Sequence, residues 1–565
     1  MSGTRPFRWE RSYPGDLSWD VRLRTTTLPA LVADSVAANG PRTAIEYRGL
    51  KVAYRALGER IDRAAAGFAS LGIGPGKQVA LYLPNSPWQP VALFGALKAG
   101  ARIVQLSPLD AERELAHKLA DSEARTLVTI DSPGLLPMAL RLLAGGALDR
   151  VIVGEDAAWG QPPEPPAAIP ADDERVVSFA AMMARGAAAP PTSWPRLAPG
   201  DLALLQYTGG TTGVPKGAML THANLTAAVS IYDAWYEGQG LMRRGGEKTI
   251  CVLPLFHIYA LTVVLLRHLA GGNEILLRPR FDVETTLADI ETRRATVFAG
   301  VPTMWMALAA SPDLERRDLS SLRHLTSGGA PMPAEIAERF FRRTGLRISG
   351  GWGMTETAPA GTHLPREAPI APGLIGLPLP GIEMDVVALD DTRRVLPPGE
   401  AGELRIRGPN VTAGYWKRPE ETAAAFVDGF FLTGDVGIMD EGGFIQLVDR
   451  RKDMIISGGF NVFPRIIEDA IYEHPDVEEA IVIGMRDEYR GEAAKAFIKR
   501  RAGAPALTLE ALRAFLADKL GRHELPAALE IRASLPRTAV GKLSKRALVE
   551  EEGARRPAPF ARPAA

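Results

Sequence analysis

With 565 residues, 46% of them hydrophobic and 23% charged, the chain is long enough for several cores, and its composition is that of a globular protein of at least two domains. Its 66 basic residues balance 66 acidic ones, which removes the electrostatic case for nucleic-acid binding or for docking on an anionic membrane and favours a small-molecule partner. The single cysteine, Cys251, cannot form an internal disulfide, and the opening MSGTRPFRWERSYPGD has neither the apolar core nor the cleavage site of a secretory signal, so a cytoplasmic location is expected.

From Leu28 to about Val153, helix-like and strand-like pieces alternate: Gly58 to Leu71, Gln78 to Leu83, Pro87 to Lys98, Arg102 to Leu106. Such interleaving predicts a mostly parallel sheet covered on both faces. Gly72 to Lys77 (GIGPGK) reads as a helix-to-strand turn rather than a phosphate loop, because no hydroxyl follows the lysine. Between Trp159 and Pro199 the chain turns rich in Pro and Ala, with little periodicity, and is expected to be a surface excursion.

Next come an apolar strand (Asp201 to Gln206), the loop YTGGTTGVPKGAMLTH from Tyr207 to His222, and a helix (Ala223 to Tyr236). Glycines let backbone N–H groups close around an anion, threonines add donors and Lys216 adds charge, so the loop suits a polyphosphate. It is not a Walker A loop, since Lys216 lies between Pro215 and Gly217. Thr249 to Pro254, Glu274 to Leu277 and Ala295 to Ala299 read as strands of a second parallel sheet. The apolar run Ile258 to Leu266 ends at Arg267, well short of the roughly 20 residues of a membrane span, which leaves only peripheral membrane contact open. Two more glycine turns, Thr326 to Pro333 (TSGGAPMP) and Ile348 to Thr357 (ISGGWGMTET), are each expected to follow a strand and lead into a helix, opening on one crevice with the first loop. From Gly381 to Gly414 the period drops to two, as for antiparallel strands of a small barrel-like unit, and beyond Arg450 short strands and charged helices suggest a small α+β domain.

The sixteen residues Tyr207 to His222 resemble, nearly letter for letter, the signature loop of the adenylate-forming superfamily, and the likeness extends from about Tyr13 to Leu548. Within that superfamily the chain is similar to bacterial medium- and long-chain fatty-acid CoA ligases. The resemblance implies an α/β fold: an N-terminal AMP-binding domain over 1–450 with two doubly wound sheets and a barrel-like part at about 381–450, then a mobile α+β domain over 451–565 hinged near Lys452. It implies ATP, Mg2+ and coenzyme A as co-substrates, and a medium- or long-chain carboxylic acid or a dicarboxylate as acceptor of the adenylate. An anion must then approach a polyanion, which calls for fixed positive potential.

By resemblance, Thr208, Gly209, Gly210, Thr211, Thr212, Gly213 and Lys216 hold the β- and γ-phosphates, and Thr355, Glu356 and Thr208 face the α-phosphate and magnesium. Asp435 and Arg450 take the ribose hydroxyls. Gly329, Ala330 and Pro331 form one adenine wall and Gly351, Trp352, Gly353 and Met354 the other. Lys542 and His257 meet the carboxylate, so the catalytic set is Lys542, Glu356, Thr208 and His257. Ser457, Gly458, Gly459 and Phe460 resemble the loop beside the pantetheine channel. Trp352 replaces the usual tyrosine, which keeps a ring for stacking and removes the phenol, leaving one possible hydrogen bond open. Ile466, Phe430 and Leu432 stand where glutamate, tryptophan and histidine are frequent. Arg243, Arg244, Arg267 and His268 are candidate readers of a second carboxylate. Rival readings are an aryl- or amino-acid-activating enzyme that loads a carrier protein, a luciferase-like oxidase, and a non-catalytic nucleotide- or acyl-binding protein, the last of which needs neither Glu356 nor Lys542. Nothing in the sequence speaks to oligomeric state.

Overall fold

The computed structural model describes residues 5–188, 193–208, 215–457, 460–487, 490–538 and 542–554. The first alternating stretch builds a seven-stranded sheet in the order Val176–Ser178, Arg150–Gly154, Thr126–Ile130, Gln78–Leu81, Arg102–Gln105, Leu202–Thr208, Lys216–Thr221. All neighbours are parallel except the last pair. Its strands are apolar runs rather than alternating ones, with Val79, Ala80, Leu81, Ile103 and Val104 all fully buried, as a sheet covered on both faces requires.

Three expectations need correction. Lys216–Thr221 is not loop but a strand, paired antiparallel with Leu202–Thr208, so a strand and not a helix begins at Lys216. Six residues carry too short a pattern to tell strand from loop, and the pairing partner decides. The helix His222–Gly238 starts one strand later, where the Thr221 hydroxyl accepts from the Asn224 N–H and the Asn224 side chain accepts from Thr221 N–H. Second, the Pro/Ala-rich stretch contains the strand Val176–Ser178 and the helix Phe179–Ala188, which packs on the helix Tyr54–Ser70. The two helices touch backbone to backbone: a Cβ at Gly186 would lie 2.3 Å from the Gly67 nitrogen. Third, the glycines of ISGGW lie inside the strand Ile348–Trp352, and a three-residue turn, Thr355–Thr357, follows in place of a helix.

The second sheet has fourteen strands. A parallel part runs through Thr43–Tyr47, Glu274–Leu277, Lys248–Cys251, Val297–Gly300, His324–Ser327 and Ile348–Trp352. Through the two-residue strand Thr362–His363 it continues, antiparallel, into Leu374–Pro378, Ile445–Arg450, Phe430–Met439, Ala401–Arg407 and Glu383–Val387. The barrel-like strands therefore extend the second sheet. A five-stranded sheet built around Val477–Asp487 and Gly491–Arg500, with its own apolar cluster of Ile455, Ile467, Val482 and Leu512, makes the C-terminal unit. Among the described residues no helix is long and apolar enough to cross a membrane.

Because Gly186 meets backbone, Gly186→Ala is expected to lower the stability of the first unit by about 1–3 kcal/mol. A thermal denaturation midpoint equal to wild type would contradict this contact.

Candidate active site

Gly209, Gly210, Thr211, Thr212, Gly213, Gly458 and Gly459 lie outside the described residues. The two ends of the signature loop, Thr208 and Lys216, face each other in the hairpin. Against the strand that follows lies the segment 408–416, held by Met219 N–H to Gly414 O at 2.9 Å, Trp416 N–H to Gly217 O at 2.8 Å and two bonds from the Asn224 amide to the carbonyls of Pro409 and Val411. That seam sets Tyr415 between two of the expected residues. The Lys216 ammonium lies 5.4 Å from the Tyr415 ring centroid and pairs with Glu421, while the Tyr415 hydroxyl donates to Glu356 Oε1 at 2.9 Å. Neither Tyr415 nor Glu421 was singled out from sequence, although both sit in the run YWKRPEE.

Glu356 is 5% exposed, and burial raises its pKa against the opposing pull of the Tyr415 hydrogen bond and Arg450. Its backbone is fixed as well: Thr412 N–H donates to the Glu356 carbonyl at 2.7 Å, and the Asn410 amide donates to the carbonyls of Thr357 and Ala360. Gly353 is required where it stands, since a Cβ there would fall 1.4 Å from the Pro359 carbonyl oxygen. Among the described residues no cluster of three or more His, Cys, Asp or Glu could hold a metal alone. One carboxylate with lone pairs to spare, beside the Thr355 hydroxyl, fits magnesium that takes most of its ligands from phosphate and water.

Trp352 supplies a hydrogen bond of its own where the phenol is missing. Its indole N–H donates to Asp435 Oδ2 at 2.7 Å, while Arg450 Nε stands 3.3 Å from Asp435 Oδ1. Its ring edge closes on Gly361, where a Cβ would lie 2.5 Å away, so the ring is fixed by packing and by the carboxylate together. The remaining lone pairs of Asp435 are still able to accept from hydroxyls.

Lys542 arrives from the far end of the chain, where Thr538 N–H donates to the Lys542 carbonyl at 2.7 Å. A Cβ on Gly329 would lie 3.0 Å from its Cε and 3.3 Å from its Nζ. His257, Tyr259, Ala260, Val301, Gly329 and Lys542 share one small cavity. Burial, then the neighbouring Arg450, lowers the Lys542 ammonium to about 8, and burial with Lys542 holds His257 neutral, down to about 3. His257 Nδ1 accepts from Tyr259 N–H at 3.2 Å, which leaves the proton on Nε2. The same chain then enters a π-helical turn, Ala260–Leu266.

Lys216, Glu356, Trp352, Asp435, Arg450, Gly329, His257 and Lys542 thus gather around one crevice. A cavity of about 480 Å³ adjoins it, lined in part by Ala330, Pro331 and Gly351. Phe460 is not in the crevice: it is 59% exposed on a hairpin and faces His523 at 4.9 Å, while Ser457 is buried at the start of that hairpin. The four candidate cations offer no free charge to a second carboxylate inside. Arg267 is buried 3.4 Å from Asp233, Arg244 pairs with Asp233 and Glu237, burial keeps His268 neutral, and Arg243 is exposed.

The sequence matches the AMP-binding enzyme family over residues 32–416 and the AMP-binding enzyme C-terminal domain over 466–542. The chain belongs to the AMP-binding enzyme family. It is an adenylate-forming acyl-CoA ligase, a class that uses ATP, Mg2+ and CoA. A long-chain-fatty-acid–CoA ligase of Bacillus subtilis is 36% identical over 563 residues, 98% of this chain and 99% of the relative. A feruloyl-CoA synthase of Amycolatopsis is 38% identical over 507 residues, 89% of this ligase and 94% of the relative. The crystal structure of ATP-bound MatB from Rhodopseudomonas palustris superposes with a TM-score of 0.82 at 30% identity, covering 94% of this ligase and 99% of that chain.

Tyr415→Phe removes the one side-chain donor described on Glu356 and leaves a buried carboxylate short of a partner, with an expected stability loss of about 1–3 kcal/mol at pH 8. Burial holds the folded-state pKa of Glu356 above its unfolded value, so ionised Glu356 is the form that suffers; the deficit shrinks as pH falls towards 5 and the carboxyl is protonated. Denaturation midpoints of both proteins at the two pH values check it, and a deficit that grows towards pH 5 contradicts it.

Proposed function

We propose that this ligase condenses a medium- or long-chain carboxylic acid with CoA in two steps. A carboxylate oxygen attacks the α-phosphorus of ATP and pyrophosphate leaves; the CoA thiolate then attacks the acyl carbonyl and AMP leaves. The observation that carries this reading is the approach of Lys542 to Gly329 and His257, more than two hundred residues away in sequence, beside Arg450, which pairs with Asp435 and whose charge also reaches Glu356.

In this reading Lys216 and the signature loop neutralise the outgoing phosphates, and Asp435 with Arg450 orients the ribose. Lys542 and the His257 Nε2–H bridge the carboxylate and the α-phosphate, supplying preorganised positive charge where the two anions meet. Glu356, Thr355 and Thr208 would hold magnesium, which supplies Lewis-acid polarisation of the phosphates when bound. Gly329, Ala330 and Pro331 face Gly351, Trp352, Gly353 and Met354 across the adenine. We further assign the domain limits 1–450 and 451–565, with a swing near Lys452 that carries Ser457 to Phe460 to the pantetheine for the second step. Support for this comes from the outward position of Phe460 while Lys542 is docked. The location proposed is cytoplasmic.

For the acyl tail, the fatty acid follows the name of the Bacillus relative. A second reading, an aromatic or hydroxylated acid, follows the feruloyl-CoA synthase and one observation. The Tyr259 hydroxyl lies 3.2 Å from Thr326 Oγ1; two residues along that strand, His324 packs on Tyr236 with ring centroids 4.4 Å apart, and His363 lies 3.0 Å from the Tyr236 hydroxyl; His324, Tyr236 and His363 are buried and polar, and His324 Nε2 has no hydrogen-bond partner among the described residues.

Lys542→Ala is expected to slow acyl-adenylate formation by roughly 10²–10³-fold, the scale of one lost transition-state donor. Pyrophosphate exchange at the wild-type rate would refute the assignment. Thioester formation with graded fatty acids and with hydroxycinnamic acids separates the two tails: a kcat/KM that rises with aliphatic length supports the first, and activity confined to ring-bearing acids supports the second.

A further inference from the structure

We propose that Arg465 is a nucleotide-contacting residue, so that the C-terminal unit itself closes on the adenosine of the bound nucleotide. This rests on the nucleotide crevice proposed above. Arg465 belongs to none of the motifs that carry the resemblance, and its role is read from its surroundings.

The 480 Å³ cavity beside the crevice has a size suited to a nucleoside. One side is made by Ser327, Ala330, Pro331 and Gly351, the ends of the two glycine turns, and Arg465 reaches the same cavity from the helix Pro464–Tyr472 of the C-terminal unit. Its backbone is anchored: the Arg465 N–H donates to Asp449 Oδ2 at 2.8 Å, one residue before Arg450. The side chain is only 7% exposed. Asp469 stands 3.6 Å from Nε, beyond hydrogen-bond reach, and neither Nε nor Nη1 has an acceptor among the described residues.

A guanidinium has five N–H donors and no way to discard its proton, so burying it with two nitrogens unanswered is costly. A nucleoside in the cavity removes that cost, because ring nitrogens and ribose oxygens are acceptors. The phosphates are not the intended partner, since they belong with Lys216 and Glu356. Asp435, proposed for the ribose, also feels the Arg465 charge, so the guanidinium lies within electrostatic reach of it. The consequence is that nucleotide would bridge the second sheet and the C-terminal unit, and its departure as AMP would loosen one of the ties between them.

The test compares full-length wild type, Arg465→Ala and Arg465→Lys for equilibrium binding of AMP, adenosine and inorganic tripolyphosphate, with a thermal midpoint for each protein. The expected result is that Arg465→Ala weakens AMP and adenosine alike by about 10- to 100-fold, the scale of charge-assisted hydrogen bonds. Tripolyphosphate affinity and the KM for the acid stay unchanged, and Arg465→Lys falls between the two because a point charge cannot reproduce the fork. Wild-type affinity for adenosine in both variants overturns the contact, as does an equal loss for adenosine and tripolyphosphate, which would mark a general structural effect. Failure of the wild type to bind AMP at all overturns the underlying nucleotide site, and the two failures are thereby told apart.

Discussion

The crevice depends on the hydrogen-bonded seam between the strand Lys216–Thr221 and the segment 408–416. Met219, Gly217 and Asn224 hold that segment by its backbone, and Tyr415 stands at its end with the Lys216 ammonium over its ring and the Glu356 carboxylate on its hydroxyl. Because Asn224 also caps the helix His222–Gly238, one amide fixes both the start of a helix and the position of the loop opposite. Burying Glu356 is tolerable only while that hydroxyl and the nearby cations answer it.

Most of the charges along the crevice are answered within the protein. Lys216 is paired with Glu421, Asp435 with Trp352 and Arg450, and Glu356 with Tyr415. Lys542 is different: burial and Arg450 weaken its hold on a proton, and no carboxylate is paired with it among the described contacts. A cation left in that state is poised for an anion brought from outside, and a carboxylate approaching a phosphate is such an anion. His257, kept neutral by the same burial, can offer a hydrogen bond there without adding repulsion.

Lys542 and Arg465 both belong to the C-terminal unit, Arg465 on the helix Pro464–Tyr472. The five-stranded sheet has its own apolar cluster, separate from the core that carries Lys216, Glu356 and Asp435. Departures from family habit fall at positions consistent with this division. Trp352 stands where a tyrosine is usual and donates its indole N–H to Asp435, and Phe430 lies buried beneath the guanidinium groups of Arg405 and Arg407.

The sequence by itself determined the parallel α/β layering, the antiparallel tract after Gly381 and the family, because apolar periodicity and glycine loops are local properties and the signature run is long. It could not show that Lys216 opens a strand, since that depends on pairing with Leu202–Thr208, nor that a helix is packed within the Pro/Ala-rich stretch, since Gly186 finds Gly67 only in space. The partners that tune the site, Tyr415 for Glu356, Trp352 for Asp435 and Gly329 for Lys542, were decided by tertiary structure alone. A side chain's burial and hydrogen-bond partner are set by segments distant in the chain, and no local pattern carries that information.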